Sequence, residues 1–286
     1  MKNCYHARYM KETLPEKPEL VAVDLDGTLL NTEHRLSDKT VSVIKALDNS
    51  GIPVVISTGR SYEGMMHYKN QLNLKNPVIC YNGAMIADGA TDSILHQWLL
   101  PSDITKEAYM YARERDFHIQ VFQDGELYFE KRREESDYYE HSTGLTGRIT
   151  NLDDWNNLEV TKALMIMPPS RESGEFPELH EAQSYFQKKY GDRLYCALSK
   201  PYYLEFINGL GSKGNALDQL SRDMGIPREK MAAFGDGFND LEMLDYAGIS
   251  VAMANAPDGV KERCLYTTEL SNDEDGVADF IEKYIF

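Results

Sequence analysis

Leu20-Val21-Ala22-Val23-Asp24-Leu25 reads as a short strand of nearly continuous apolar character, and Asp26-Gly27 follows at once. A strand with one wet face alternates apolar and polar residues. A strand apolar at every position is covered on both faces, as in a parallel sheet layered with helices. The same rhythm continues downstream. Ser37 opens a helix through Asn49 with Val41, Ile44 and Leu47 on one face and Gly51 as its C-cap. Two more short apolar strands, Pro53–Ser57 and Pro77–Cys80, follow. The βαβαβ alternation predicts an α/β fold with a Rossmann-like, doubly wound parallel sheet.

From about Ala84 to Phe206 the pattern changes. Ile119–Phe122, Glu126–Phe129 and Tyr202–Phe206 read as half-exposed strands, usual in antiparallel sheets, and Asp124-Gly125 marks a hairpin between the first two. Helices are expected over Arg133–His141 and Phe176–Tyr190. The buried rhythm returns after Asn208, with a helix over Asn215–Met224, a strand Met231–Gly235, a helix Asp240–Ala247 and a strand Ile249–Ala252. The expected layout is an N-terminal extension (1–18), a core built from 19–83 and 207–286, and an inserted α+β cap (84–206). The extension, basic at several positions and without an apolar run, is read as loosely docked or disordered and not as a signal peptide.

A hydrophobic content of 42% with 27% charged residues marks a globular chain, and a net charge of -16 excludes nucleic acid and anionic lipid as expected partners. The apolar runs are too short to span a bilayer, so the expected compartment is the cytoplasm. Cys4, Cys80, Cys196 and Cys264 are far apart, which argues against a zinc site or a disulfide framework. An acidic surface repels phosphate esters, so a phosphate site here needs a lysine, a metal or helix N-termini.

Such a site can be assembled from four segments. Asp24 and Asp26 stand at the carboxyl end of the first strand, where open α/β sheets bind ligands. On a continuing strand their side chains would point oppositely, but Gly27 lets the chain turn so that both face one site. Two carboxylates with a hard cation suit Mg2+, and also supply a nucleophile and a separate acid/base. As a bland alternative, Asp and Gly are ordinary turn formers. Gly235-Asp236-Gly237-Phe238-Asn239-Asp240 ends another apolar strand. Asp236 is placed to complete a metal site and Asn239 to donate to phosphate, or else Asn239 or Asp240 is simply an N-cap. Thr58-Gly59-Arg60 follows the second strand and offers a hydroxyl and a backbone N–H, or is a polar turn. Ser212-Lys213-Gly214 precedes a helix; a lone lysine is ordinarily a surface charge. Their joint occurrence at strand ends and helix starts favours one site.

Gly209-Leu210-Gly211-Ser212-Lys213-Gly214 also fits the spacing of a dinucleotide fingerprint. That reading is rejected, because the preceding strand alternates and carries Glu205. A Walker lysine loop and an EF-hand both fail on glycine spacing.

Taken in order, Asp24-Leu25-Asp26-Gly27-Thr28, Thr58-Gly59-Arg60, Lys213 and Gly235-Asp236-Gly237-Phe238-Asn239-Asp240 resemble the haloacid dehalogenase (HAD) superfamily, and within it the Cof-type phosphatases of subclass IIB. Tyr81-Asn82-Gly83-Ala84 and Ser212 to Leu217 also look like this subclass. The likeness covers roughly Glu19 to Phe286. It implies a phosphatase with Mg2+ as cofactor and a small phosphate ester as substrate. Asp24 would be nucleophile and metal ligand. Asp26 would bind metal through its backbone carbonyl and act as acid/base, and Asp236 would be a metal ligand. Leu25, Thr58, Gly59, Lys213 and Asn239 would hold phosphate, and Asp240 would support the site. A phosphotransferase or sugar phosphomutase with the same first step, or a regulator that binds without turnover, stay open as alternatives, as do substrate and oligomeric state. The aromatics of the cap, Tyr202 and Tyr203 among them, are read as core before they are read as a stacking surface.

Overall fold

A computed structural model of the chain describes residues 14, 16–171 and 173–286. Cys4 and most of the expected extension (1–13 and 15) lie outside the described residues. The chain forms two compact units. One comprises the chain up to Ser57, Tyr68–Asn76 and Leu217–Phe286; the other comprises Thr58–His67 and Pro77–Ala216.

In the first unit, five parallel strands form one sheet. Their order is Tyr266–Thr267, Ile249–Ala252, Met231–Gly235, Leu20–Val23 and Val54–Ile56. The four longer strands are buried at every position, as their largely apolar sequences require, Ser250 being a buried polar exception. From Leu20–Val23 the chain moves to the neighbouring Val54–Ile56, and later returns on the opposite side at Met231–Gly235. The order therefore reverses beside the first strand, which is where sheets of this kind open a ligand crevice. The helix Asp38–Asn49 starts at an N-cap on Ser37, whose hydroxyl accepts from the Thr40 N–H. It buries Val43, Ile44 and Leu47 and packs against the C-terminal helix Gly276–Tyr284.

The expected third parallel strand does not join this sheet. Val78–Cys80 pairs antiparallel with Met85–Ala87, which pairs with Ile94–Gln97 in a separate three-stranded sheet of the second unit. Full burial is common to buried strands of either direction, so the apolar run did not report direction.

The larger sheet of the second unit has six strands: Leu194–Lys200, Tyr203–Asn208, Lys162–Ile166, His118–Gln123, Glu126–Phe129 and Gly147–Ile149. The Asp124-Gly125 hairpin is present, with both residues at positive φ (51° and 79°). One face, carrying Val121, Met165 and Phe206, packs on the helices Ser102–Glu114 and Pro177–Tyr190. Of the strands expected to be half-exposed, Glu126–Phe129 does alternate between half-buried and buried positions, whereas His118–Gln123 and Tyr203–Asn208 are buried on both faces. The second face holds Gln120, Lys162 and Glu205, and the helix Glu134–Thr143 packs against the His118–Gln123 strand. In His118–Gln123 and Tyr203–Asn208 alternation separates a face packed on two helices from one that mixes buried polar groups with Phe122, Leu164 and Ile166.

The strand before Gly209 is antiparallel, so the glycine-rich segment does not sit in a βαβ unit. Among the described residues, Cys80, Cys196 and Cys264 are buried, and no helix is long and apolar enough to cross a membrane.

Candidate active site

Val23 pairs with Phe234 in the sheet, so the two strands that flank the reversal point end side by side. Asp24 comes directly after Val23, its N–H donating to the Phe234 carbonyl at 3.1 Å. The chain then turns tightly. The N–H groups of Thr28 and Leu30 both donate to the Leu25 carbonyl (3.3 and 2.8 Å), and that of Leu29 to the Asp24 carbonyl (3.3 Å). Gly27 makes this turn with φ +80°, and a Cβ there would fall on the Asp236 carboxylate. Glycine is required on both counts, for the left-handed backbone and for the close approach.

The approach gathers acids. One carboxylate oxygen from each of Asp24, Asp236 and Asp240 lies within 4.8 Å of the others. Asp24 and Asp240 are buried and Asp236 half-buried. Three charges this close repel, on the order of 3 kcal/mol per pair at an effective dielectric near 20. Local donors offset part of this. Asp240 Oδ2 accepts from the backbone N–H groups of Asp236 (3.0 Å) and Gly237 (2.8 Å), and the Thr28 hydroxyl donates to Asp236 Oδ1 (3.2 Å). Asp240 thus ties down the loop that presents Asp236. It ends a short 3-10 turn, Phe238–Asp240, and the α-helix expected from Asp240 begins one residue later, over Leu241–Tyr246. Asn239 is exposed on that turn. Leu25 is buried, and Asp26 is half-buried with Oδ1 3.2 Å from His34 Nδ1.

Sequence reasoning missed the ties behind this turn. Asn255 Nδ2 donates to the Gly27 carbonyl (2.8 Å) while its Oδ1 accepts from the Asn272 N–H (3.1 Å). Asn272 Nδ2 in turn donates to the Leu30 carbonyl (2.9 Å). No local motif marks either residue, because the turn they brace is far away in the chain.

The remaining expected site residues belong to the second unit, where they too converge. Thr58 is buried, its N–H donating to the Ile79 carbonyl (2.8 Å) and its carbonyl accepting from the Asn82 N–H (3.0 Å). A Cβ on Gly59 would lie 2.8 Å from Asn82 Oδ1. Lys213 is only 1% exposed, and not the surface charge that a lone lysine usually is. It opens the helix Lys213–Met224, and Gly83 packs so closely on the Ser212–Lys213 backbone that a side chain there would collide with it. The turn at Asn82-Gly83 therefore lies between the Thr58-Gly59 loop and the start of the Lys213 helix. The sequence marked that turn through its resemblance to the subclass.

Similarity to known proteins extends over nearly the whole chain. Residues 21–281 match the family model of haloacid dehalogenase-like hydrolases. A 5-amino-6-(5-phospho-D-ribitylamino)uracil phosphatase of Bacillus subtilis is 32% identical over 94% of this chain and 98% of its own length. A second Bacillus subtilis phosphatase is 30% identical over 92% of this chain and 99% of its own. A solved haloacid dehalogenase-like hydrolase from Bacteroides thetaiotaomicron superposes with a TM-score of 0.84 at 30% identity, covering 94% of this chain and 100% of that one. With an α/β core that brings two carboxylate-bearing strand ends together, this chain belongs to the haloacid dehalogenase-like hydrolases and is a phosphatase of that family.

Proposed function

We propose that the protein is a Mg2+-dependent phosphatase of a small phosphorylated metabolite, working through an aspartyl-phosphate on Asp24. The observation that carries this reading is the meeting of Asp24, Asp236 and Asp240 at the ends of two adjacent central strands. The donors are all hard oxygens, with no thiol or imidazole in the group, which fits Mg2+ better than zinc. Asp24, Asp236 and the Asp26 carbonyl would hold the ion, which would supply positive charge against the repulsion between a phosphate dianion and a carboxylate.

In the first step an Asp24 oxygen attacks phosphorus, the bond to the alcohol oxygen breaks, and Asp26 gives that oxygen a proton. In the second, water attacks the phosphoryl group as Asp26 takes its proton, and the bond to Asp24 breaks to release phosphate. Thr58, Gly59, Lys213, Asn239 and the Leu25 backbone are the proposed phosphate holders. Burial suits Lys213 to the role, because an ammonium shielded from water acts more strongly on a nearby dianion than an exposed one does. Segment 84–206 is the proposed source of substrate selection, and 19–83 with 207–286 the proposed source of chemistry.

The test is trapping. With a phosphate-labelled substrate and Mg2+, Asp26→Asn should accumulate acid-stable label on protein, and Asp24→Asn should carry none and lose several orders of magnitude in turnover. EDTA should silence the native enzyme and Mg2+ restore it. Label that persists in Asp24→Asn would place the nucleophile elsewhere, and an isomerised product in place of free phosphate would make the enzyme a mutase.

A further inference from the structure

The second unit contains a buried ion pair that the proposed chemistry does not use. Lys162 Nζ lies 2.9 Å from Glu205 Oε1, and their side chains are only 4% and 8% exposed. Buried pairs of this kind are poor stabilisers, since desolvation of both charges offsets most of their attraction, and well-packed apolar residues often serve as well. The other oxygen of Glu205 shows what else the pair does. Oε2 accepts a 2.8 Å hydrogen bond from Asn82 Nδ2.

Asn82 is held in the left-handed region (φ 55°, ψ 28°), which few residues other than glycine adopt readily, and it is buried. Its backbone N–H donates to the Thr58 carbonyl and its Oδ1 side stands against Gly59. On either side of it, the Tyr81 N–H donates to the Arg60 carbonyl and Gly83 abuts the Ser212–Lys213 backbone. The Asn82-Gly83 turn thus links the buried pair to both segments proposed to grip phosphate.

We infer that Asn82, anchored by the Lys162–Glu205 pair, is a positioning residue that sets the Thr58-Gly59 loop and the Lys213 helix start in their phosphate-holding geometry. The inference rests on the reading of those segments as phosphate ligands. Glu205 supplies the fixed acceptor. Lys162 neutralises it, so that the anchor presents no net negative charge to a phosphate dianion. Misplacing a ligand by about 1 Å can cost on the order of a hundredfold in rate, so this anchor affects function far more than its small net stabilisation suggests.

Two variants test it. Asn82→Gly keeps the left-handed turn and removes the anchor. Lys162→Met combined with Glu205→Leu keeps the buried volume and removes the anchor's far end without stranding a charge. The readouts are KM and the inhibition constant for inorganic phosphate with saturating Mg2+, beside the thermal midpoint. Each variant should raise both constants roughly tenfold to a hundredfold with the midpoint near that of the native protein, and combining all three changes should add little more. If the paired variant lowers the midpoint and leaves phosphate inhibition unchanged, the pair is structural only and the inference is wrong. Thr58→Ala serves as the control. If it raises the phosphate constant while Asn82→Gly does not, the phosphate role stands and the positioning role fails. If Thr58→Ala has no effect, the loop does not hold phosphate and both readings fall.

Discussion

At the scale of single residues, environment rather than identity decides what each charged group does. Asp24 and Asp240 stand within reach of one another, and Asp240 has an oxygen engaged by two loop N–H groups. That engagement suits Asp240 to holding the loop. His118 shows the same rule outside the candidate site. It is buried beside Gln120, and burial, with smaller contributions from Arg133 and Lys131, pushes its pKa from 6.5 down to about 4. The folded state therefore keeps His118 neutral while the unfolded chain takes up a proton below pH 6.5. Above that pH the residue costs nothing. As pH falls from 6.5 toward 4 stability is lost, by about 3 kcal/mol in all. Denaturant unfolding at pH 7 and pH 4.5 should show a smaller loss for His118→Gln than for the native chain. Equal losses would mean that other groups carry the acid sensitivity.

At the scale of elements, the site depends on how strands end. Two strands of only four and five residues present the acids, and each runs on into irregular backbone fixed by side-chain ties. Asn255, exposed at the surface, is such a tie, and its hydrogen bond to the Gly27 carbonyl braces the turn that carries Asp26. Asn255→Ala should lower kcat by roughly tenfold through added freedom at Asp26, with a stability change of about 1 kcal/mol or less. An unaltered kcat would show that the turn's own hydrogen bonds suffice. The same distinction explains what the sequence made legible. The strands with Asp24 and Asp236 could be read because unbroken apolar runs and the acids beside them are local signals. Val78–Cys80 was misassigned because its local signal is the same and only its partner differs. Glu205 was noticed as an oddity inside a strand, but its pairing with Lys162 depends on sheet register, which no local pattern encodes. Lys213 illustrates the opposite case, where the base rate for lysine argued for a surface charge and the structure buries it.

At the scale of the molecule, the anchor on Asn82 constrains how the insert can be exchanged. A swap of 84–206 for the equivalent of a relative with another substrate severs Asn82 from Glu205 and Lys162 unless the donor carries the same pair. A swap that preserves these two residues should still require Asp24 and Mg2+ and should take on the donor's substrate preference in a phosphate-release panel; retention of the original preference would move selection into the core. The sheet order has a consequence of another kind. Leu20–Val23 sits between Val54–Ile56 and Met231–Gly235, and its pairing partner Met231 is encoded some two hundred residues later. A ribosome adding about 5–20 residues per second needs roughly ten to forty seconds to traverse that gap. For that interval the nascent chain has made a central strand, apolar on both faces, with one edge still open. The second unit, continuous from Pro77 to Ala216 apart from its short Thr58–His67 segment, is complete before the five-stranded sheet can close. Synthesis order thus delivers the whole of the second unit before the Met231 strand, and leaves the Leu20–Val23 strand with one edge unpaired until that strand emerges.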